Sequence, residues 1–314
     1  MEARKPFDRR KLLVSLFMTV LVALIVLPYV TTAYMIAFLF IVFVHLTLAQ
    51  GWDIVGGYTG YLNLGYSSFF GVGAYVFATS ILYGIHYVPS LLLAGIVTVA
   101  FAGVLSLPLF RLRGAYFALA TFGIVLLLGL VTRNLAILGG SIGQPVPIFP
   151  GYLTYSYYGA LCLALAVTLT KYKIVNSKLG LALRSIHEDE EAAEGLGVKT
   201  FKCKALMFMV SALFAALMGG VYMIYTAFID PSIVFGLEIT LTPVVMAMLG
   251  GSGTIIGPLV GVTLIMLVEE LIWTMTPYLH LAMYGAIFVI VGLFIPGGII
   301  SLKYFQILRS KLGF

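Results

Sequence analysis

The chain has 314 residues, 61% of them hydrophobic and 10% charged, with a mean hydropathy of +1.10. Soluble domains carry charge on about a quarter of their residues, so an ordinary water-soluble protein is excluded. The formal charge of +6 sits on residues that flank apolar runs, which explains it by membrane topology and removes the reason to invoke nucleic acid.

Apolar runs of about 20 residues, enough to cross a hydrocarbon core of about 30 Å, recur along the sequence. The alternating pattern of a membrane β-barrel is absent. The expected fold is an all-α polytopic membrane protein of about ten transmembrane helices, with Gly-rich broken segments and both termini cytoplasmic. Cys162 and Cys203 lie far apart and suggest neither a disulfide framework nor a metal site.

Positions 1–11 form a basic N-terminus with Arg4, Lys5, Arg9, Arg10 and Lys11. The apolar run from Leu12 to Val30 follows. It has the outline of a signal peptide, but without a small-residue cleavage site after it the run reads as an uncleaved first span. Positions 12–172 make a first membrane half of about six spans. The second span runs from Ala33 to Trp52 and meets DIVGGYTGYLNLG, where Gly56, Gly57, Gly60 and Gly65 oppose helix formation. Backbone broken at membrane depth is tolerated only where it is buried in protein or lines a watery cavity. The third span is Tyr66 to Ile85 and the fourth Val88 to Phe110. Arg111 and Arg113 precede a fifth span from Gly114 to Thr132. The Gly- and Pro-rich connection 133–152 is an irregular loop. A sixth span, Leu153 to Thr170, leads into Lys171 and Lys173.

Positions 173–204 are the polar exception in the chain. Arg184, His187, Glu188, Asp189, Glu190, Glu191 and Glu194 crowd between flanking lysines, in a stretch too short to bury a core of its own. Asn176 or Ser177 can cap a helix through Ile186. Ser185 and Glu188 have capping-box spacing for a second helix through Leu196, stopped by Gly197. The acids fall in its first turn, where the helix dipole favours them. On these residues alone, a solvated helix and a docking element for a soluble partner stand equal. Positions 205–297 make a second membrane half of about four spans. Ala205 to Phe228 crosses, Asp230 and Pro231 turn, and Leu237 to Leu249 is apolar but short. Gly250, Gly251, Gly253 and Gly257 with Pro258 interrupt the pattern before the runs Ile255 to Trp273 and Leu279 to Pro296. Positions 298–314 are a basic tail.

The N-terminus, the Arg111–Arg113 turn, the polar segment together with Lys171 just before it, and the tail hold every Lys and Arg except Arg133. With those regions cytoplasmic, crossings between them must be even in number. The segmentation gives four, two and four. Should 237–249 re-enter instead of crossing, the tail would fall outside against its charge.

Polar residues inside spans are costly and often functional. His45 with Gln50 nearby is one such place, with an interhelical hydrogen bond as the equal alternative. Glu269 and Glu270 could relay protons, although their place near a span end favours an interfacial role. Asp53, Asn63, Asp230 and Glu238 flank the breaks and could line a pathway. Gly71, Gly73, Gly219, Gly220 and Gly285 fit close helix packing instead. The two Gly-rich breaks also raise an inverted repeat around a midplane site, though they do not fall at matching positions in the two halves. No GxxxxGK[ST], HExxH or GxGxxG motif occurs, so the chain does not hydrolyse ATP by the phosphate-loop route.

Glu191-Ala192-Ala193 followed by Gly197 resembles the E-A-A-x-x-x-G core of the cytoplasmic loop in ATP-binding-cassette importer permeases. GLALRSIHEDEEAAEGLGV, RGAYFALATFG, GYTGYLNLGYSSFFGVGAY and MLGGSGTIIGPLVG are similar to segments of the branched-chain amino acid permeases, the LivH/LivM family, and most of all to LivM. The resemblance covers about residues 40 to 300 in order. It implies a transport subunit that is not itself an enzyme. It binds no cofactor, and ATP is hydrolysed on partner ATPase subunits. A second homologous permease and an extracytoplasmic solute-binding protein complete the assembly in the cell (inner) membrane. Arg184, Glu188, Glu191, Ala192, Ala193 and Gly197 are the residues expected to couple to the ATPase, the alanines being small enough to enter a cleft. Gly56, Gly57, Gly60, Asn63, Gly250, Gly251 and Gly253 are the pathway candidates, because broken backbone exposes polar groups. The I-x-L-P that completes the importer motif in many permeases is missing after Gly197. Branched-chain amino acids are the expected cargo, with urea, short amides or other neutral amino acids as alternatives. A proton-coupled secondary transporter using His45, Glu269 or Asp53 is the rival of another class.

Overall fold

The computed structural model describes residues 9–147, 149–273, 298 and 299. Twelve α-helices follow one another among them: α1 (Arg9–Val30), α2 (Ala33–Thr59), α3 (Tyr66–Leu82), α4 (Tyr87–Leu109), α5 (Ala115–Asn134), α6 (Tyr152–Val175), α7 (Lys178–Glu188), α8 (Glu190–Gly195), α9 (Thr200–Thr226), α10 (Pro231–Val234), α11 (Leu237–Gly250) and α12 (Gly257–Trp273). The chain is an all-α membrane protein. Among the described residues six segments are long and apolar enough to cross a bilayer: α2, α4, α5, α6, α9 and the α10–α11 stretch Pro231–Gly250. The expected tenth span Leu279 to Pro296, most of the basic tail and the first eight residues lie outside the described residues.

α9 is the axis of the bundle and packs against α2, α3, α4 and α6. Small residues permit its closest approach. A Cβ on Gly73 of α3 would collide with the backbone of Ala216, and one on Gly219 of α9 with the carbonyl of Phe70. In lipid, where apolar burial between helices gains little, this backbone-to-backbone fit is a main source of association. The close-packing expectation therefore holds for these positions, and Gly285 lies outside the described residues. Outward faces remain apolar, with Leu92, Ile96 and Val104 on α4 and Leu119, Leu127 and Leu130 on α5 exposed. A soluble surface would not carry such a face.

Three sequence boundaries move, each for a physical reason. α2 does not break at Gly56 and Gly57 but stays helical to Thr59. Gly57 is needed there for clearance, since a Cβ would strike the Asp53 carboxylate and the Gly253 amide. The break comes at Gly60, whose φ of +74° suits glycine. Beyond it the chain turns back into the bundle until Asn63 O accepts from Trp52 Nε1 at 2.9 Å. Trp52 stands about 10 Å of helix above the end of α2. α3 therefore starts inside the bundle, and amides at and just before its start are met by side chains: Leu64 N by Thr121 Oγ1, Gly65 N by Asn63 Oδ1 and Ser67 N by Thr240 Oγ1.

α6 runs on to Val175, so Lys171 lies within it and not in a cytoplasmic loop. α9 starts at Thr200 rather than Ala205 and takes in Lys202 and Lys204. Lys171 and Lys204 are both buried. Neither can serve as the topological marker that its charge suggested.

The 133–152 loop is more ordered than its composition implied. It carries a 3-10 turn, Ala136–Leu138, and a strand β1 (Gln144–Pro145) paired antiparallel with β2 (Phe228–Ile229), Gln144 opposite Ile229. Arg133 Nη2 donates to Ser232 Oγ at 3.1 Å at this same end of the bundle. From there α11 descends and α12 returns, joined by a turn over 251–256. Gly250 packs on the backbone of Gly257 and Gly261, which closes this hairpin tightly.

Candidate functional site

α7 and α8 form a polar ledge on the end of the bundle opposite the β1–β2 ladder. α7 is amphipathic: Leu183 and Ile186 are buried against the bundle, while Leu181 and Arg184 face out. Gly180 fits beneath the carbonyls of Ile174 and Val175, where a Cβ would clash. Ser177 precedes the helix without capping it, because its Oγ donates to Ile174 O at 2.7 Å. The capping box expected from Ser185 does not form. α7 continues to Glu188, so its amides are already paired, and Ser185 Oγ donates back to Ala182 O at 2.8 Å. The cap of α8 is Asp189 instead, whose Oδ1 accepts from Glu191 N at 2.9 Å and Ala192 N at 3.0 Å. Gly197 ends the ledge with φ +89°. Its amide donates to Glu194 O and that of Val198 to Ala193 O, a left-handed helix stop.

Three acids hold α8 in place. Glu191 accepts from Arg113 Nη1 at 2.7 Å on the open surface. Glu194 accepts from Thr200 Oγ1. Glu190 turns inward, accepting from Tyr61 Oη at 2.6 Å and pairing with Lys204. Lys204 also lies 4.5 Å from the Tyr61 ring centre and 5.2 Å from that of Phe110. Burial pushes the Glu190 carboxyl up, but hydrogen bonds from Lys204 and Tyr61, with the charges of Lys204 and Arg113, outweigh it and hold the group below its ordinary range.

Of the expected coupling residues, Arg184, Glu188, Glu191, Ala192 and Gly197 are exposed on this ledge. Ala193 is not: it is 1% exposed and packs inward. Its small size serves the chain's own packing, and Ala192 is the alanine on the outer face. Glu190 and Lys204 were not singled out by the sequence. Their partnership joins two elements across a turn, with no helical spacing to announce it.

The pathway candidates separate into two groups. Gly57 and Gly253 meet, with Gly253 N donating to Asp53 Oδ1 at 2.9 Å beside them. Gly250 ends α11 and Gly251 opens the hairpin turn, with φ +119°. Gly56 lies against Trp52, and Gly60 against His187 of α7. Asn63 is buried and shapes its own turn. Near the opposite end, a cavity of about 510 Å³ lies between α2, α9 and α12, lined by Tyr34, Phe38, Ile41, Tyr225, Met266 and Glu269 among others. None of the candidate glycines lines it. Glu270, also on its wall, accepts from Tyr34 Oη. His45 Nδ1 and Glu269 Oε2 are enclosed with no hydrogen-bond partner among the described residues.

Deeper in the bundle the structure assembles a polar cluster that the sequence left scattered. Lys171 Nζ donates to Asp53 Oδ2 at 2.5 Å, Gln50 Oε1 at 2.7 Å and Thr254 O at 2.8 Å. Gln50 Nε2 donates to Ile255 O at 2.8 Å.

The family described as branched-chain amino acid transport system / permease component matches residues 34–292. The high-affinity branched-chain amino acid transport system permease protein LivM of Salmonella typhimurium is 27% identical over 329 residues, covering 94% of this chain and 76% of that protein. LivM of Escherichia coli K12 is 28% identical over 330 residues, with 93% and 77% covered. A probable branched-chain amino acid transport permease protein LivM of Methanocaldococcus jannaschii is 27% identical over 192 residues, with 58% and 55% covered. No solved structure matches the chain.

Proposed function

Since the chain belongs to the family of branched-chain amino acid transport permeases, we propose that it is the membrane subunit of an ATP-binding-cassette importer and that α7 and α8 seat it on a partner ATPase. One observation carries this reading. The ledge is a short helix pair, its α8 capped by Asp189 and held through Glu190, Glu191 and Glu194, whose outer face, with Arg184, Glu188, Ala192 and Gly197, is exposed. A rigid exposed pair of helices suits the transfer of force from a motor, because a change of state requires contacts that differ between the two states. ATP is hydrolysed on the partner and not on this chain.

A sister permease and an extracytoplasmic binding protein complete the assembly in the inner membrane. The ledge faces the cytoplasm, and both termini lie on that side after about ten crossings. Branched-chain amino acids are the cargo. The relatives' names support this choice over urea, short amides or other neutral amino acids.

The test is reconstitution. Proteoliposomes holding the chain with its ATPases, sister permease and binding protein should accumulate leucine when ATP is supplied on the ledge side. Uptake that a pH gradient drives without ATP would contradict the reading and favour a secondary transporter.

A further inference from the structure

Asp53 is 0% exposed and Lys171 1%. Two charges taken out of water carry a desolvation cost that their attraction does not always repay, and ionisable groups retained within a membrane bundle mark function more often than stability. What this cluster grips is the backbone of one loop. Asp53 accepts from Gly253 N, Lys171 donates to Thr254 O, and Gln50 donates to Ile255 O. These backbone groups belong to the turn between α11 and α12.

The C-terminal ends of the two gripping helices lead to the ledge. α6 runs from Lys171 to Val175 and, past Ser177, into α7 at Lys178. α2 ends at Thr59, and Gly60 lies against His187 of α7. Lys171 thus stands four residues before the end of α6 at Val175 and Asp53 six before the end of α2 at Thr59, about 6 Å and 9 Å of helix, and Gly180 of α7 packs on the Ile174 and Val175 carbonyls. Helix over that distance is stiff, so a tilt applied at α7 arrives at the cluster, and the cluster holds the hairpin turn.

Resting on the reading of α7 and α8 as the ATPase seat, we propose that Asp53, Lys171 and Gln50 are positioning residues for transport, a latch that carries displacement of α7 to the 251–256 loop and so to the α11–α12 hairpin. The two transport states then differ in which oxygens the Lys171 ammonium keeps among Asp53, Gln50 and Thr254.

The test uses the complete transporter in proteoliposomes. Cys162→Ala and Cys203→Ala remove the native thiols, and Ser252→Cys places a reporter on an exposed position of the loop. Labelling by a membrane-impermeant maleimide is compared in the nucleotide-free and vanadate-trapped states. In the chain with the latch intact, the rates should differ by about tenfold between states, the scale of a typical coupling between sites. Combining Asp53→Asn with Lys171→Gln removes both charges without stranding either. That double variant should still co-purify with its ATPases and hydrolyse ATP, yet label equally in both states and lose about tenfold or more of its uptake.

A merely structural pair predicts native uptake and a native labelling response in the double variant, and that result overturns the latch. Equal labelling in both states with the latch intact overturns it too, whether or not the double variant assembles. Failure of the underlying reading looks different: no ATPase co-purifies and no ATP-driven uptake occurs even in the native chain, which overturns both.

Discussion

Arg113–Glu191 and Asp53–Lys171 are both ion pairs serving the same end of the bundle, with N–O distances of 2.7 Å and 2.5 Å. Distance does not separate them, but surroundings do. The first pair has side chains 60% and 76% exposed, so water screens it and its net worth is small. The second is sealed inside, and each charge there depends on the other. Between them stands Glu190–Lys204, at 15% and 2% exposure. Similar-looking charges therefore do different work. The buried pair joins elements, the half-buried one anchors α8, and the open one lies where a partner can displace it.

The largest expected effect comes from stranding a buried charge. Asp53→Asn alone or Lys171→Gln alone should destabilise the chain by about 3–5 kcal/mol, read as a fall in thermal midpoint and in the yield of assembled complex. The double variant should recover most of that loss. If a single variant is as stable as the native chain, the contrast between the pairs collapses.

Lys204→Met comes next. It leaves Glu190 half-buried without its cation and should cost about 1–3 kcal/mol, measured as a lower melting temperature in detergent and earlier proteolysis at α8.

Glu190 also gives the comparison a pH axis. Its folded carboxyl titrates below the ordinary value of 4.5, so the unfolded chain binds its proton first. The stability it supplies is complete above that value and is lost as pH falls toward the lower folded value. Thermal midpoints measured between about pH 6 and pH 3.5 should drop less in Glu190→Gln than in the native chain.

The smallest effect is at the surface. Arg113→Ala should leave the thermal midpoint unchanged within error, at low and at high salt, because the pair it breaks is solvated. Glu191→Lys should likewise insert and fold, yet uncouple ATP hydrolysis from uptake. A destabilised but coupled Glu191→Lys would show that the open pair is structural after all.

How much of this was legible depends on range. The membrane class and the spans at 87–109 and 115–134 follow from apolar length alone, which is a local property. The α7–α8 ledge is legible for the same reason: its polarity and its Gly197 stop are written within about 20 residues. The cap at Asp189 was displaced from Ser185 because α7 continues through the position where a new helix was expected to begin. Gly56 and Gly57 misled because helix propensity counts glycine as a breaker, whereas Gly57 clears space for a loop 196 residues later in the chain. Lys171 misled for a related reason. Charge at a span end reads as a topological flag, and nothing local announces that Asp53, 118 residues earlier, waits for it. Long-range pairing of this kind is what single-sequence periodicity does not encode.

The central claim is that the ledge docks a motor which this chain lacks. It is tested most directly by uptake into vesicles holding the purified chain and its sister permease, supplied with the binding protein, with and without the ATPases. The account predicts no leucine accumulation until the ATPases and ATP are both present. Accumulation driven by a pH gradient in vesicles free of any ATPase would contradict it.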